Sequence, residues 1–172
     1  MNVSWKELLA SVLSETERAR AAEDRDLLAA ALFRLATLYQ QRDEPMKATA
    51  PLQELLALHE DRQDRQGIVG TLLMLGDLYR RQGGWHHALA LYDRARASQE
   101  AAGDQAGMAA TVGSMGVTYE GMETWEEALK AYRESAAIKE SLGDPVGVAL
   151  VWNNIGNVEA KRRRFEEAFE SY

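Results

Sequence analysis

At 172 residues, with 46% apolar and 27% charged side chains, the chain has the length and composition of a folded domain with a buried core. Twenty basic against 27 acidic side chains leave a net charge of −7, which argues against general binding to nucleic-acid backbones. The lack of cysteine excludes disulfides and thiolate chemistry. No run approaches the roughly 18 apolar residues of a membrane span, and MNVSWKELLASVLSETERAR carries charges where a signal peptide would have an apolar core. A cytoplasmic protein that does not enter membranes is expected.

Ser4 followed by Glu7 has the spacing of a capping box and predicts a helix through about residue 21. Beyond it the sequence repeats. Asp24, Asp64, Asp104 and Asp144 lie forty residues apart, as do Gly67, Gly107 and Gly147. The first unit, 23–62, contains LATLYQQRDEPMKATAPL from Leu35. In the second, 63–102, Leu72, Leu75 and Tyr79 form one helical stripe. Gln82-Gly83-Gly84 interrupts it before a second periodic run through Trp85, Leu89 and Tyr92. The third, 103–142, contains MGVTYEGMETWEEALKAY from Met115, with Thr124 and Glu127 spaced as a further capping box. Gly103 and Gly143 stand where a left-handed residue ends a helix. The fourth, 143–172, opens with Asp144-Pro145, an N-cap with proline at the first helical position. It continues as IGNVEAKRRRFEEAFESY from Ile155, which places Lys161-Arg162-Arg163-Arg164 at a turn between helices.

No stretch alternates as a strand would. The expectation is an all-α array over 1–172 in which each unit is a first helix, a turn and a second helix. Residues 1–22 form a lone helix of the second type, and 143–172 form a truncated unit. This organisation is expected of a piece of a longer array or of a chain that self-associates through an open C-terminal edge carrying Phe165 and Phe169.

The pattern resembles the tetratricopeptide repeat. The second unit supplies Leu72, Leu75, Gly76, Tyr79, Ala88, Tyr92 and Ala95, and the third Val112, Met115, Gly116, Tyr119, Ala128, Tyr132 and Ser135. The fourth has Trp152, Ile155, Gly156, Ala168 and Tyr172 but Glu159 for the tyrosine, while the first has Ala36 for glycine and Leu52 for the aromatic. The forty-residue period, against thirty-four in the common form, resembles the repeats of kinesin light chains, spindle-orientation G-protein modulators and bacterial regulatory arrays. The resemblance implies antiparallel helix pairs in a right-handed superhelical solenoid. Small residues at 76, 116 and 156 facing those at 88, 128 and 168 allow the helices of a pair to approach closely.

This register decides how His86 and His87 read. They align with Met46 and Lys47, with Glu126 and Glu127, and with Glu166 and Glu167, so they fall on an exposed first turn. Adjacent helical residues also point about 100° apart, and the chain has three histidines in all. No glycine-rich phosphate loop or serine nucleophile elbow occurs. The chain is therefore read as a non-enzyme with no metal and no cofactor.

Around the first helix of each unit, the residues opposite the apolar stripe form a second arc, which in the resembled family lines the concave surface. It comprises Phe33, Arg34 and Thr37, then Leu73, Met74, Asp77, Arg80 and Arg81. Ser114, Val117 and Glu120 follow in the third unit, and Asn154, Asn157 and Lys161 in the fourth. Apolar anchors among basic groups suit a partner segment with apolar and acidic side chains, and Glu120 is expected to repel an acidic one. Asn154 and Asn157 resemble the asparagines that hold peptide backbone in long-repeat arrays. The lysine-and-asparagine clamp for chaperone C-termini is missing, since Phe33, Leu73, Gly113 and Asn153 occupy its lysine position. The function expected is a protein-interaction scaffold; the alternative is a ligand- or peptide-responsive regulatory domain of a larger signalling protein.

Converting both His86 and His87 to glutamate should change stability by no more than about 0.5 kcal/mol, as for other surface positions. Stoichiometric zinc binding by the wild type in calorimetry, lost in this variant, would contradict the assignment.

Overall fold

The computed structural model describes residues 4–42 and 44–170, with side chains as far as Arg164. Among the described residues there are eight helices and no strand. In order they are α1 (Trp5–Ala21), α2 (Arg25–Gln41), α3 (Pro45–Asp61), α4 (Arg65–Arg81), α5 (Trp85–Ala102), α6 (Gln105–Gly121), α7 (Trp125–Ser141) and α8 (Pro145–Glu170). The even-numbered helices are the first helices of their units and the odd-numbered ones the second. None is long and apolar enough to cross a membrane, among the described residues.

The chain falls into two compact units, Met1–Leu78 and Tyr79–Tyr172, with the boundary inside α4. In the first, α2 packs against both α1 and α3. Val12, Leu35 and Leu38 form a buried cluster lined by Trp5, Leu9 and Tyr39. In the second, α6 packs against α5 and α7, and α7 against α8. Its core joins Ala128, Leu129, Tyr132 and Ala136 to Val151, Ile155 and Val158.

The turns follow one pattern. Between a second helix and the next first helix, the amides of Asp24, Asp64, Asp104 and Asp144 donate to the carbonyls five residues back at 2.9–3.0 Å. Between the helices of a pair, the amides of Glu44, Gly84 and Thr124 do the same to Tyr39, Tyr79 and Tyr119 at 2.8–3.0 Å. This closure requires a left-handed residue. Gly83, Gly103 and Gly143 supply it at φ 75°, 70° and 69°, while Glu23, Gln63 and Glu123 adopt it at 52°, 53° and 59°. Each aspartate then caps the next helix, accepting from the Leu27, Gly67, Gly107 and Gly147 amides at 2.8–3.0 Å. The Gly67 and Gly147 amides hold the Asp64 and Asp144 carboxyls below the ordinary aspartate range.

The Ser4–Glu7 capping box forms, with both reciprocal bonds present. Two local expectations do not hold. Thr124 makes no side-chain cap bond; its hydroxyl donates back to the Tyr119 carbonyl at 3.1 Å, tying the turn to the preceding helix instead. Lys161–Arg164 is not a turn but the interior of α8, which runs unbroken for 26 residues. Lysine and arginine are good helix formers, and Arg163 stands where Gly83 and Glu123 take left-handed conformations. The side chains of Phe165, Glu166, Glu167, Ala168 and Phe169, and all of Tyr172, lie outside the described residues.

The close approach expected within a helix pair is present at Gly116. A Cβ built there would lie 2.7 Å from two atoms of the Tyr132 ring, which is itself 1% exposed. Gly116→Leu should therefore destabilise by about 1–3 kcal/mol or more through overpacking. Chemical denaturation giving an unchanged midpoint would contradict this packing.

Candidate functional site

The first-helix arc can be followed separately in each unit. In the second, Glu120 on α6 is its electrostatic centre. One carboxylate oxygen accepts from Lys161 Nζ on α8 at 2.6 Å and the other from the Tyr132 hydroxyl on α7 at 3.0 Å. Burial pushes the Tyr132 phenol well above its ordinary pKa, and the Glu120 charge and hydrogen bond add to the effect. Tyr132 is thus held as a protonated donor. Arg80, in the last turn of α4, lies close enough to act on the same phenol in the opposite sense. Glu120 is thus paired with Lys161, and both of its oxygens are engaged.

Beside this network Val117 is 37% exposed and Ser114 half-buried, one and two turns back along α6. On α8, Asn154 is half-buried, and the exposed Asn157 donates from Nδ2 to Asn153 Oδ1 at 3.3 Å. Arg81 is exposed and Arg80 half-buried. The structure thus brings Glu120 and Lys161 of the expected arc into contact and sets Ser114 and Val117 along the same helix face. Tyr132 was missed by sequence reasoning, which named it only as a residue of the repeat pattern. The signal was available: if Gly116 faces Tyr132, the residue one turn on, Glu120, meets the far end of its ring.

In the first unit, Phe33 is 49% exposed. With Arg34, Thr37 and Leu38 on α2 and Leu8, Ser11, Val12 and Glu15 on α1, it lines a depression of about 340 Å³. Arg34 is ion-paired with Glu15 across it, so this arginine is not simply presented to a partner. Thr37 donates to the Phe33 carbonyl at 2.9 Å. Leu73, Met74 and Asp77 are all half-buried along α4.

His86 and His87 are both exposed on the first turn of α5, and the His87 ring stacks on Tyr79 with centroids 5.2 Å apart. Among the described residues no three histidine, aspartate or glutamate side chains are grouped to hold a metal. The second helices carry their own crevices, about 350 Å³ between α1 and α3 and about 370 Å³ between α5 and α7. These sit at equivalent repeat positions and are bordered by the ion pairs Arg20–Glu54 at 2.5 Å and Arg96–Glu134 at 2.6 Å. They recur with the packing and belong to the fold.

Helix pairs written at a forty-residue period, closed by one turn geometry and presenting polar first-helix faces, define a helix-pair repeat protein. The tetratricopeptide repeat profile matches residues 68–141, from α4 to α7, and that stretch is built of tetratricopeptide-type repeats. Such repeats generally mediate protein–protein interaction. Among solved structures the fold is similar to BtubC (BKLC) of P. vanneervenii, at TM-score 0.74 and 23% identity, over 94% of this chain and 68% of that one. It is similar to a Signal Transduction ATPase with Numerous Domains from Pyrococcus horikoshii that has a tetratricopeptide repeat sensor. That likeness has TM-score 0.68 and 19% identity and covers 98% of this chain and 29% of the other. It is also similar to the kinesin light chain-like repeats of Podosopora anserina, at TM-score 0.59 and 15% identity, over 93% and 89% of the two chains. No curated protein sequence matches the chain.

Tyr132→Phe removes one bond from Glu120 and should cost about 1 kcal/mol, as for a typical hydrogen bond. Lys161→Met removes the other, and the two losses should not add, because both act on one carboxylate. Strict additivity in denaturation midpoints would show that the network is not coupled.

Proposed function

We propose that this chain is a non-catalytic interaction array that holds a segment of another protein on the arc of its first helices. The observation that carries the reading is the contact of Glu120 with Lys161. It sets the faces of α6 and α8 side by side as one surface, with Val117 as an exposed apolar point beside it. On the second unit the contact groups are Arg80 and Arg81, Ser114 and Val117, and Asn154 and Asn157. The first unit carries a face of its own, with Phe33, Arg34 and Thr37 and the α4 residues Leu73, Met74 and Asp77. The net charge of −7 favours protein over nucleic-acid partners, and a cytoplasmic location belongs to the same reading.

A second reading, a sensor domain that changes state on binding its ligand, is supported by the similarity to the sensor repeats of the Pyrococcus horikoshii protein. It differs from the first in requiring an effector domain coupled to the array.

Peptides selected from a random display library on the immobilised chain provide the test. They should be rich in apolar and acidic residues, and their affinity should fall with salt. Arg81→Glu and Val117→Asp should each weaken the best peptide about tenfold, or about 1.4 kcal/mol. Arg94→Glu and Lys130→Glu, on the second helices, should leave affinity within about twofold, as rim charges far from a site do. The reverse pattern would place binding on the second-helix face.

A further inference from the structure

Although 27% of the chain is charged, α6 has no charged residue from Gln105 to Tyr119, and α8 has none from Pro145 to Val158. On α6, Ala106, Ala110, Gly113 and Val117 recur at spacings of four, three and four, so they share one face. Val146, Leu150, Asn153 and Asn157 repeat that spacing on α8. All but the half-buried Gly113 are exposed, Val146 being 71% and Leu150 63% exposed. The exposure belongs to the repeat register: Ala30, Gly70 and Ala110, at the position of Leu150, are exposed as well. The equivalent stripes of α2 and α4 differ in carrying Asp26 and Asp77.

The charges that border the α6–α8 face are paired within the fold. Lys161 donates to Glu120 at 2.6 Å at one end, and Lys139 donates to Asp144 at 3.4 Å at the other. Asn157 and Asn153 bond each other across one turn. A charged side chain laid on this face would lose its water while the bordering charges stay engaged with one another, whereas an apolar one would be buried at a gain. On α6 the stripe also has no hydrogen-bonding side chain. An extended segment lying on it would leave backbone amides and carbonyls without partners, while a helix satisfies its own. Small side chains on α6 let a helix approach to the about 8–10 Å of ordinary helix packing. Val146 and Leu150 supply apolar bulk beside it.

We propose that this face of α6 and α8 takes an amphipathic helix of another protein, docked by a stripe that is apolar and uncharged. The inference rests on the partner-binding reading and narrows it. Acidic groups of the partner belong beside Arg81, in the last turn of α4, and not on the α6–α8 face.

Peptides selected on the immobilised chain supply the test. In the tightest of them, apolar residues should recur at spacings of three and four with no charged residue among them. Backbone chemical shifts of the isotope-labelled peptide should become helical on binding. Ala110→Glu and Leu150→Glu alter exposed positions, so each should keep its helical circular dichroism while weakening the peptide at least about tenfold. A peptide with lysine placed in its apolar stripe should bind the Leu150→Glu chain more tightly than the wild type. Extended shifts, alternating apolar residues, or affinity indifferent to both substitutions while Arg81→Glu still weakens binding would overturn this inference and leave the partner-binding reading standing. Selection of no binder, or binding that only second-helix substitutions weaken, would overturn both. If either variant loses helical signal, Ala110→Gln and Leu150→Gln replace them, with a smaller loss of affinity expected.

Discussion

The structure of each described helix pair depends on how closely a first helix can approach its second. In the α6–α7 pair the limit is set by the missing side chain at Gly116, which lets the Tyr132 ring lie where a Cβ would be 2.7 Å away. Glycine in a helix interior costs about 1 kcal/mol against alanine, and here the cost is offset by burying an aromatic ring to 1% exposure. The same approach has a consequence at the surface. With its ring fixed under Gly116, Tyr132 delivers its hydroxyl one helical turn further along α6, to Glu120. Core packing thereby orients the group at the centre of the candidate site. The first unit solves the same problem with Ala36 and Leu52, a larger residue on one helix and a smaller one on the other, both fully buried.

Repetition of this geometry rests on the turns. The recurrent closing bond and left-handed residue give every inter-helix turn described in full the same shape, which is why no unit gains or loses a residue. Glycine is the residue of least strain at such positions, because left-handed conformations cost other L-residues roughly 1–2 kcal/mol. Glu23, Gln63 and Glu123 adopt them nevertheless. There the packing of the flanking helices, not local preference, holds the turn.

Much of this was legible in the residues. The aspartates at forty-residue intervals marked the period, with Asp144-Pro145 read as a helix cap, and the apolar spacing around Leu72 and Tyr79 marked the packed face of a first helix. The small residue at 116 announced the close approach. What escaped did so for identifiable reasons. Thr124 has capping-box spacing with Glu127, but spacing does not reveal that its hydroxyl prefers the Tyr119 carbonyl. The basic run at 161–164 aligned with a turn, yet an aligned position contains no information about whether a helix stops there, and straight-chain cations favour continuation. Arg34 and Glu120 were read as charges offered to a ligand. Their pairing with Glu15 and Lys161 joins residues on different helices, and a face drawn on one helix cannot show it.

The central claim, that the size of the residue at 116 and of the ring opposite it are set against each other, is tested most directly by a double-mutant cycle on stability. Gly116→Ala gains helix propensity but meets the Tyr132 ring, so in the wild-type background it should destabilise. In a Tyr132→Leu background, which reproduces the Ala36 and Leu52 combination of the first unit, the obstruction is gone. The same Gly116→Ala change should then be neutral or stabilising by up to about 1 kcal/mol. Equal effects of Gly116→Ala in the two backgrounds would contradict the account.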